Sequence, residues 1–167
     1  MRILTSALLA LTVTACGSDK LNGTWNGTGT LTIPGSTTQV PYTSVATFTS
    51  STQKASVKLT LPLPSDGSGT ITINGTYTES GSNLKLSNIT VDASTAAGTI
   101  TPTPPTNYTC VSLNLLNGAP LCFDTPQTSP YSVNGTTLTI SVTFGFLGTD
   151  GKVSESTTPA TVTFTKA

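Results

Sequence analysis

The chain has 167 residues, of which only 8% are charged, with seven basic and seven acidic side chains and no histidine. Nucleic-acid binding requires clustered lysine and arginine, and the composition excludes it, since Arg2 is the only arginine. Intrinsic disorder combines low hydrophobicity with high net charge. A hydrophobic fraction of 35% and a net charge of zero therefore favour a folded domain.

The N-terminal segment has the pattern of a targeting signal. Arg2 is followed by apolar residues 3–13, a stretch too short to cross a bilayer, which takes ~20 apolar residues. Val13-Thr14-Ala15-Cys16 then resembles the lipobox of bacterial lipoproteins, in which a branched, a variable and a small residue precede an invariant cysteine. The resemblance implies cleavage after Ala15 and lipidation of Cys16 with acyl chains such as palmitate.

The lipobox divides the chain into three parts. We expect residues 1–15 to be a signal peptide, residues 16–20 a lipidated tether and residues 21–167 a single all-β domain. Acyl chains on Cys16 would anchor the domain in a membrane without spanning it. The expected location is the cell envelope, with the domain facing the periplasm or the cell exterior. In a Gram-negative cell, Gly17 after the lipidated cysteine favours the outer membrane.

Two further cysteines, Cys110 and Cys122, remain as a pair once Cys16 is assigned to lipid. An oxidising envelope favours a disulfide between them over two free thiols. A metal site would need further Cys or His ligands, so no metal and no cofactor is expected. A hairpin turning on Asn117-Gly118 would place Cys110 opposite Thr125. We therefore expect the disulfide to join an irregular loop within residues 101–130, whose functional role stays open.

Alternating apolar and polar residues predict β strands from Trp25 onward. In the first strand Trp25, Gly27 and Gly29 share one face, and threonines occupy the other. The apolar parity shifts near Ser87 or Asn88, which predicts a bulge. Further strands are expected at residues 40–48, 55–61, 71–77, 84–91, 138–146 and 160–164, with a hairpin turn at residues 79–83. About 8–10 short strands predict an antiparallel β-barrel, with a β-sandwich as the alternative.

Three short motifs resemble those of lipocalin-type barrels. Leu21-Asn22-Gly23-Thr24-Trp25 is similar to the Gly-x-Trp signature that opens lipocalins, and the segments around residues 75–86 and 131–140 are similar to hairpins of lipocalin-like lipoproteins. The resemblance implies a lipocalin-like barrel in which Trp25 plugs one end. Lipocalins stack an arginine from the last strand on this tryptophan, and Lys166 is the cation that could partly replace it here.

The residues bear on three classes of function. Scattered acids and the lack of histidine give no visible base-and-nucleophile arrangement, so an enzyme is not expected. The main expectation is a structural or interaction role in the envelope, through the threonine-rich faces or residues 101–130, with an envelope polymer or protein as partner. The alternative is binding of a small apolar ligand inside the barrel, with Trp25, Tyr77 and Phe144 as candidate ligand-binding residues.

Overall fold

The computed structural model describes residues 20–32, 39–62, 68–94, 100, 103–112, 120–155 and 159–167. Residues 1–19 lie outside this set, and with them the predicted signal peptide, Cys16 and most of the predicted tether. Within the described ranges, no helix has the length and apolarity needed to cross a membrane.

Strands account for most of the described residues. Their bounds are β1 Gly23–Thr32, β2 Gln39–Thr49, β3 Lys54–Pro62, β4 Ser68–Ser80, β5 Asn83–Ala93, β6 Tyr108–Val111, β7 Leu121–Asp124, β8 Gln127–Asn134, β9 Thr137–Val142, β10 Gly145–Leu147, β11 Val153–Glu155 and β12 Ala160–Lys166. Eight of them close into an antiparallel barrel in the order β1-β12-β9-β8-β5-β4-β3-β2. The predicted all-β barrel is thereby confirmed over the sandwich.

The barrel wall follows the predicted alternation of inward and outward residues. Trp25 is fully buried, whereas Asn26 and Thr28 are exposed. Gly27 lies on the inner face, where an added Cβ would stand 2.8 Å from Cδ1 of Phe164 and 2.9 Å from the backbone oxygen of Thr163. Glycine at this position therefore lets β12 pack closely against β1.

The predicted hairpin turn and bulge are both confirmed between β4 and β5. Gly81, with φ of 60°, and Ser82 connect the strands as a tight turn. The register then shifts between Asn74 and Thr76, so that β5 carries one extra residue. The shift includes Asn88, which has φ of 53° and whose Nδ2 donates to Oγ1 of Thr76 at 3.2 Å.

A second sheet, in the order β11-β10-β7-β6, continues from the barrel and was not predicted. β7 ends at Asp124 just before β8, and β10 begins at Gly145 just after β9. β8 pairs with β9 in the barrel, and β7 pairs with β10 in the second sheet. The two pairs therefore form one continuous two-stranded ribbon, and each of its strands bends at a corner where the ribbon passes from the barrel into the second sheet. Nε2 of Gln127 donates to the backbone oxygen of Thr143 at 2.7 Å and ties the corners together.

Two details of the sequence interpretation are corrected by this ribbon. The predicted irregular loop at residues 101–130 instead contains β6, β7 and the start of β8. Residues 138–146 do not form one strand either, because the corner after β9 separates Phe144 from the barrel stripe. Phe144 packs edge-to-face against Phe146 of β10, with ring centroids 5.7 Å apart.

The buried side chains form two clusters along the barrel axis. The Trp25 end, which carries the turns at residues 50–53, 81–82 and 135–136, is filled by Leu21, Trp25, Phe48, Tyr77 and Phe164 among others. At the opposite end, called here the capped end, Leu61 and Ile71 of the barrel pack against second-sheet residues. The second-sheet residues of this cluster are Val111, Leu121 and Phe123. The second sheet therefore covers one end of the barrel.

Candidate functional site

An apolar cavity with a volume of about 110 Å³ lies inside the barrel. All eight barrel strands contribute to its wall, together with Leu121 and Phe123 of β7 and with Phe144 at the corner. Leu59, Ile73 and Val162 are typical of the lining, in which branched aliphatic side chains dominate. The inward stripes of the strands thus leave space between the two core clusters.

Three hydroxyl groups interrupt the apolar wall. Thr30, Tyr42 and Ser129 are the polar side chains among the described lining residues, and none of those residues is charged. Ser129 is buried on β8. Burial raises the pKa of the Tyr42 hydroxyl above its ordinary value of 10.0. The cavity therefore suits an uncharged apolar group that accepts or donates few hydrogen bonds.

The size of the cavity limits what it holds as it stands. An apolar cavity of about 150 Å³ lined by Leu, Ile and Phe stays dry and binds benzene, whereas pockets for drug-sized ligands span about 300–1,000 Å³. At 110 Å³, the cavity accommodates a group no larger than a small ring or a short branched alkyl chain. A larger molecule would have to leave part of itself outside.

Tyr42 lies at the boundary between this cavity and the outside of the barrel. It faces Gly29 across the β1–β2 pair. A Cβ added to Gly29 would stand 2.5 Å from the Tyr42 hydroxyl oxygen and 2.6 Å from Cζ, so the phenol ring lies against the bare backbone of β1. Tyr42 and Thr30 also line a groove of about 730 Å³, called here the outer groove.

Of the three predicted ligand-binding residues, the structure places one beside the cavity. Phe144 lines it, although from a corner and not from a barrel strand. Trp25 and Tyr77 instead fill the Trp25 end and are not among the described lining residues. Nε1 of Trp25 donates to the backbone oxygen of Leu21 at 2.7 Å, and Tyr77 packs edge-to-face on Phe48 at 5.3 Å.

Sequence reasoning missed Tyr42, Thr30 and Ser129. The parity of Tyr42 in the predicted strand 40–48 matches that of Phe48, and this signal marks it as inward-facing. Its contact with Gly29 depends on the register of β1 against β2, which alternation alone does not give. Ser129 falls in the segment predicted to be a loop, so no pattern pointed to it.

The predicted disulfide between Cys110 and Cys122 is present. The two cysteines face each other across the β6–β7 pair, so the expectation that the bridge joins an irregular loop is wrong. The Asn117-Gly118 pair itself lies outside the described residues. The disulfide therefore reinforces an edge of the second sheet, next to the β7 residues that line the cavity.

Two tyrosine–carboxylate pairs lie outside the described lining of the cavity. Tyr131 donates to Oε2 of Glu79 at 2.5 Å at the Trp25 end, and Tyr108 donates to Oε1 of Glu155 at 2.6 Å on the second sheet. Burial and then the charge of Glu155 raise the pKa of Asp124. Within the described part of the chain, no three His, Cys, Asp or Glu side chains are grouped as a metal site.

The outward face carries a row of hydroxyl groups that follows the cross-strand register around seven barrel strands. Its members, each exposed or half-buried and each paired with the next, are Ser132, Thr139, Thr163, Thr28, Thr43, Thr60 and Thr70. Neighbouring strands lie about 4.8 Å apart, so the row is closely spaced. Thr28, Thr43 and Thr60 belong to the outer groove as well.

Comparison with protein-family models, with curated proteins and with solved structures finds no match for this chain.

Proposed function

We propose that this protein binds a small uncharged apolar molecule, or the apolar end of a larger one, inside its barrel. The observation that carries the proposal is the cavity of 110 Å³, walled by aliphatic and aromatic side chains with only hydroxyl groups as polar lining among the described residues. A well-packed core leaves few voids larger than a water molecule. A cavity of this size and polarity supports ligand binding, a non-catalytic role.

The same proposal includes tethering to the cell envelope through a lipid on Cys16. The described chain begins at Lys20 and enters β1 at the Trp25 end, with Leu21 already fully buried. The tether would therefore attach at the Trp25 end, and the capped end would point away from the membrane. A ligand arriving from the surrounding space would meet the capped end and the outer groove first.

Calorimetric titration of the full chain with benzene tests the binding proposal. The cavity-filling variant Val57→Phe adds volume at a half-buried lining residue of β3. The matched control Val45→Phe makes the same change at an outward position of β2, where the side chain is 41% exposed. We expect saturable binding to the wild type and to Val45→Phe, and at least tenfold weaker binding to Val57→Phe. Equal binding to all three proteins would show surface partitioning and refute the proposal.

A second candidate function follows from the hydroxyl row on the outer face. Evenly spaced hydroxyl groups offer hydrogen bonds without charge, which supports an interaction with a neutral polymer of the envelope. Co-sedimentation with chitin tests it, because chitin is neutral and carries hydroxyl and amide groups. Thr163→Glu interrupts the row, and we expect it to reduce co-sedimentation severalfold. Thr90→Glu, on β5 outside the row, is the matched control. No difference between the two variants would reject this candidate.

A further inference from the structure

The paired tips of β1 and β2 form a flap whose backbone pairing, among the described residues, is confined to its own two strands, while apolar side chains of its β2 half pack against the cluster at the capped end. The flap is defined by residues 29–32 of β1 and residues 39–42 of β2, which pair with each other. In the described register, β12 pairs with β1 only as far as Thr28, and β3 pairs with β2 only from Thr43. Pro41 within the flap also lacks a backbone N–H to donate. Residues with so few lateral hydrogen bonds open at low free-energy cost.

Tyr42 is the flap residue that separates inside from outside. Its ring rests on the backbone of Gly29, where any Cβ would collide with it. Thr30 and Tyr42 are shared by the linings of the cavity and of the outer groove. The cavity and the outer groove therefore adjoin at these two residues, and the Tyr42 ring is the larger of the two shared side chains.

The outer groove differs from the cavity in polarity but not in charge. Its described lining includes the hydroxyl groups of Thr28, Thr43, Thr60 and Ser68, and it contains no charged side chain. The path from groove to cavity is thus hydroxyl-rich at one end and aliphatic at the other. An ionised head group would find no counter-charge in the described lining of the groove. A neutral head group that forms hydrogen bonds needs none.

We propose that the flap is the ligand entrance, with Tyr42 as its gate, and that the ligand is a neutral amphiphile. Its short apolar end occupies the cavity, and its hydroxyl-bearing head lies in the outer groove. This inference rests on the proposed binding function and adds the ligand class and the route. It also accounts for a cavity too small for a whole lipid-like molecule, because the remainder stays in the groove.

Three probes that share one aromatic ring test the apolar end and the head group of the ligand separately. Benzene has no head group, phenyl β-D-glucopyranoside has a neutral head with several hydroxyl groups, and phenyl phosphate has an anionic head. Calorimetric titration of the full chain should give binding of the glucoside roughly tenfold tighter than that of benzene, the effect of one or two net hydrogen bonds. Phenyl phosphate should bind at least tenfold more weakly than the glucoside. Equal affinities for the glucoside and for phenyl phosphate would overturn the assignment of the ligand as a neutral amphiphile.

Rates of exchange, measured by NMR line shapes with the glucoside, test the gate. Tyr42→Ala should raise both association and dissociation rates at least fivefold, whereas Tyr42→Phe, which keeps the ring, should leave the association rate near that of the wild type. Tyr108→Ala is the control, since Tyr108 lies on the second sheet outside both described linings. Faster exchange in Tyr108→Ala with unchanged exchange in Tyr42→Ala would place the entrance under the second sheet and refute the flap.

Different outcomes refute the binding function and the flap entrance. If benzene binds to the wild type and Val57→Phe abolishes binding, the cavity function stands, whatever the gate variants do. If neither benzene nor the glucoside binds to the wild type, the binding function itself is refuted. If benzene binds but Tyr42→Ala exchanges no faster than the wild type, only the flap entrance is refuted.

Discussion

Lys166 places its Nζ 5.1 Å from the centre of the Trp25 ring, at the end of the barrel where the first and last strands pair. Trp25 is directly opposite Lys166 in the β1–β12 register. The lysine thus occupies the place that the lipocalin resemblance gave to an arginine. It covers the one tryptophan of the chain with the stem and head of a long cationic side chain.

We expect Lys166→Ala to lower the free energy of unfolding by about 0.5–1 kcal/mol, the range of an exposed cation–π contact. Lys166→Arg should preserve or increase stability, because a planar guanidinium stacks well on an aromatic face. Urea unfolding followed by Trp25 fluorescence measures both variants. Lys58→Ala, at an exposed position of β3, is the control. Equal losses for Lys166→Ala and Lys58→Ala would contradict a specific contact with Trp25.

Ser44 is buried on the inner face of β2, and its hydroxyl has no hydrogen-bond partner among the described residues. An unsatisfied buried polar group costs about 1–3 kcal/mol. We therefore expect Ser44→Ala to stabilise the protein by about 1 kcal/mol, against the usual direction of core truncation. Thermal and urea unfolding would show a higher midpoint. Ser132→Ala, at an exposed position, should change stability by less than about 0.5 kcal/mol. A lower midpoint for Ser44→Ala would indicate that its hydroxyl is satisfied.

Alternation was sufficient to predict the barrel strands and the all-β class, because one face of nearly every barrel strand is buried. It did not separate a barrel from a sandwich, since both bury every second residue. Trp25, with exposed Asn26 beside it, and the parity change at Asn88 each carry a local signal that the structure confirms. A strand buried on both faces carries no such signal. Leu121, Cys122 and Phe123 are all buried, so β7, an inner strand of the second sheet, shows no alternation.

The cavity was less predictable than the barrel because it depends on which side chains meet. Phe144 lines the cavity because the ribbon bends between β9 and β10. The apolar pattern of residues 138–146 is uninterrupted and does not indicate this corner. Tyr42 reaches the cavity boundary because its cross-strand neighbour is Gly29. Trp25 and Tyr77 were predicted to bind ligand, yet their aromatic side chains fill the Trp25 end.

The disulfide joins Cys110 on β6 to Cys122 on β7, with 12 residues of sequence separation. Closing a loop of about this length stabilises a protein by ~3 kcal/mol. We expect the double variant Cys110→Ala with Cys122→Ala to lose stability of that order. Hydrogen exchange should show the largest loss of protection in β6 and β7, with a loss in β3 and β4 no greater than the fall in global stability. Equal loss of protection in β3 and β4 would contradict a local role of the bridge.

Tyr131 donates to Glu79 across the Trp25 end, and burial followed by this hydrogen bond raises the pKa of Tyr131 from 10.0 to about 12. The folded state therefore holds the phenol proton more tightly than the unfolded chain does. This contribution to stability is complete below pH 10 and is lost as pH rises from 10 to about 12. We expect the free energy of unfolding to fall across that window, and to fall less steeply in Tyr131→Phe.

Absorbance at 295 nm, which reports ionised tyrosine, checks the assignment directly. The titration curve of the wild type minus that of Tyr131→Phe should have its midpoint near pH 12. Tyr108→Phe should give a similar difference curve, because the hydrogen bond to Glu155 raises the pKa of Tyr108 to about 12 as well. A midpoint near pH 10 for Tyr131 would mean that the bond to Glu79 does not hold the phenol proton in solution.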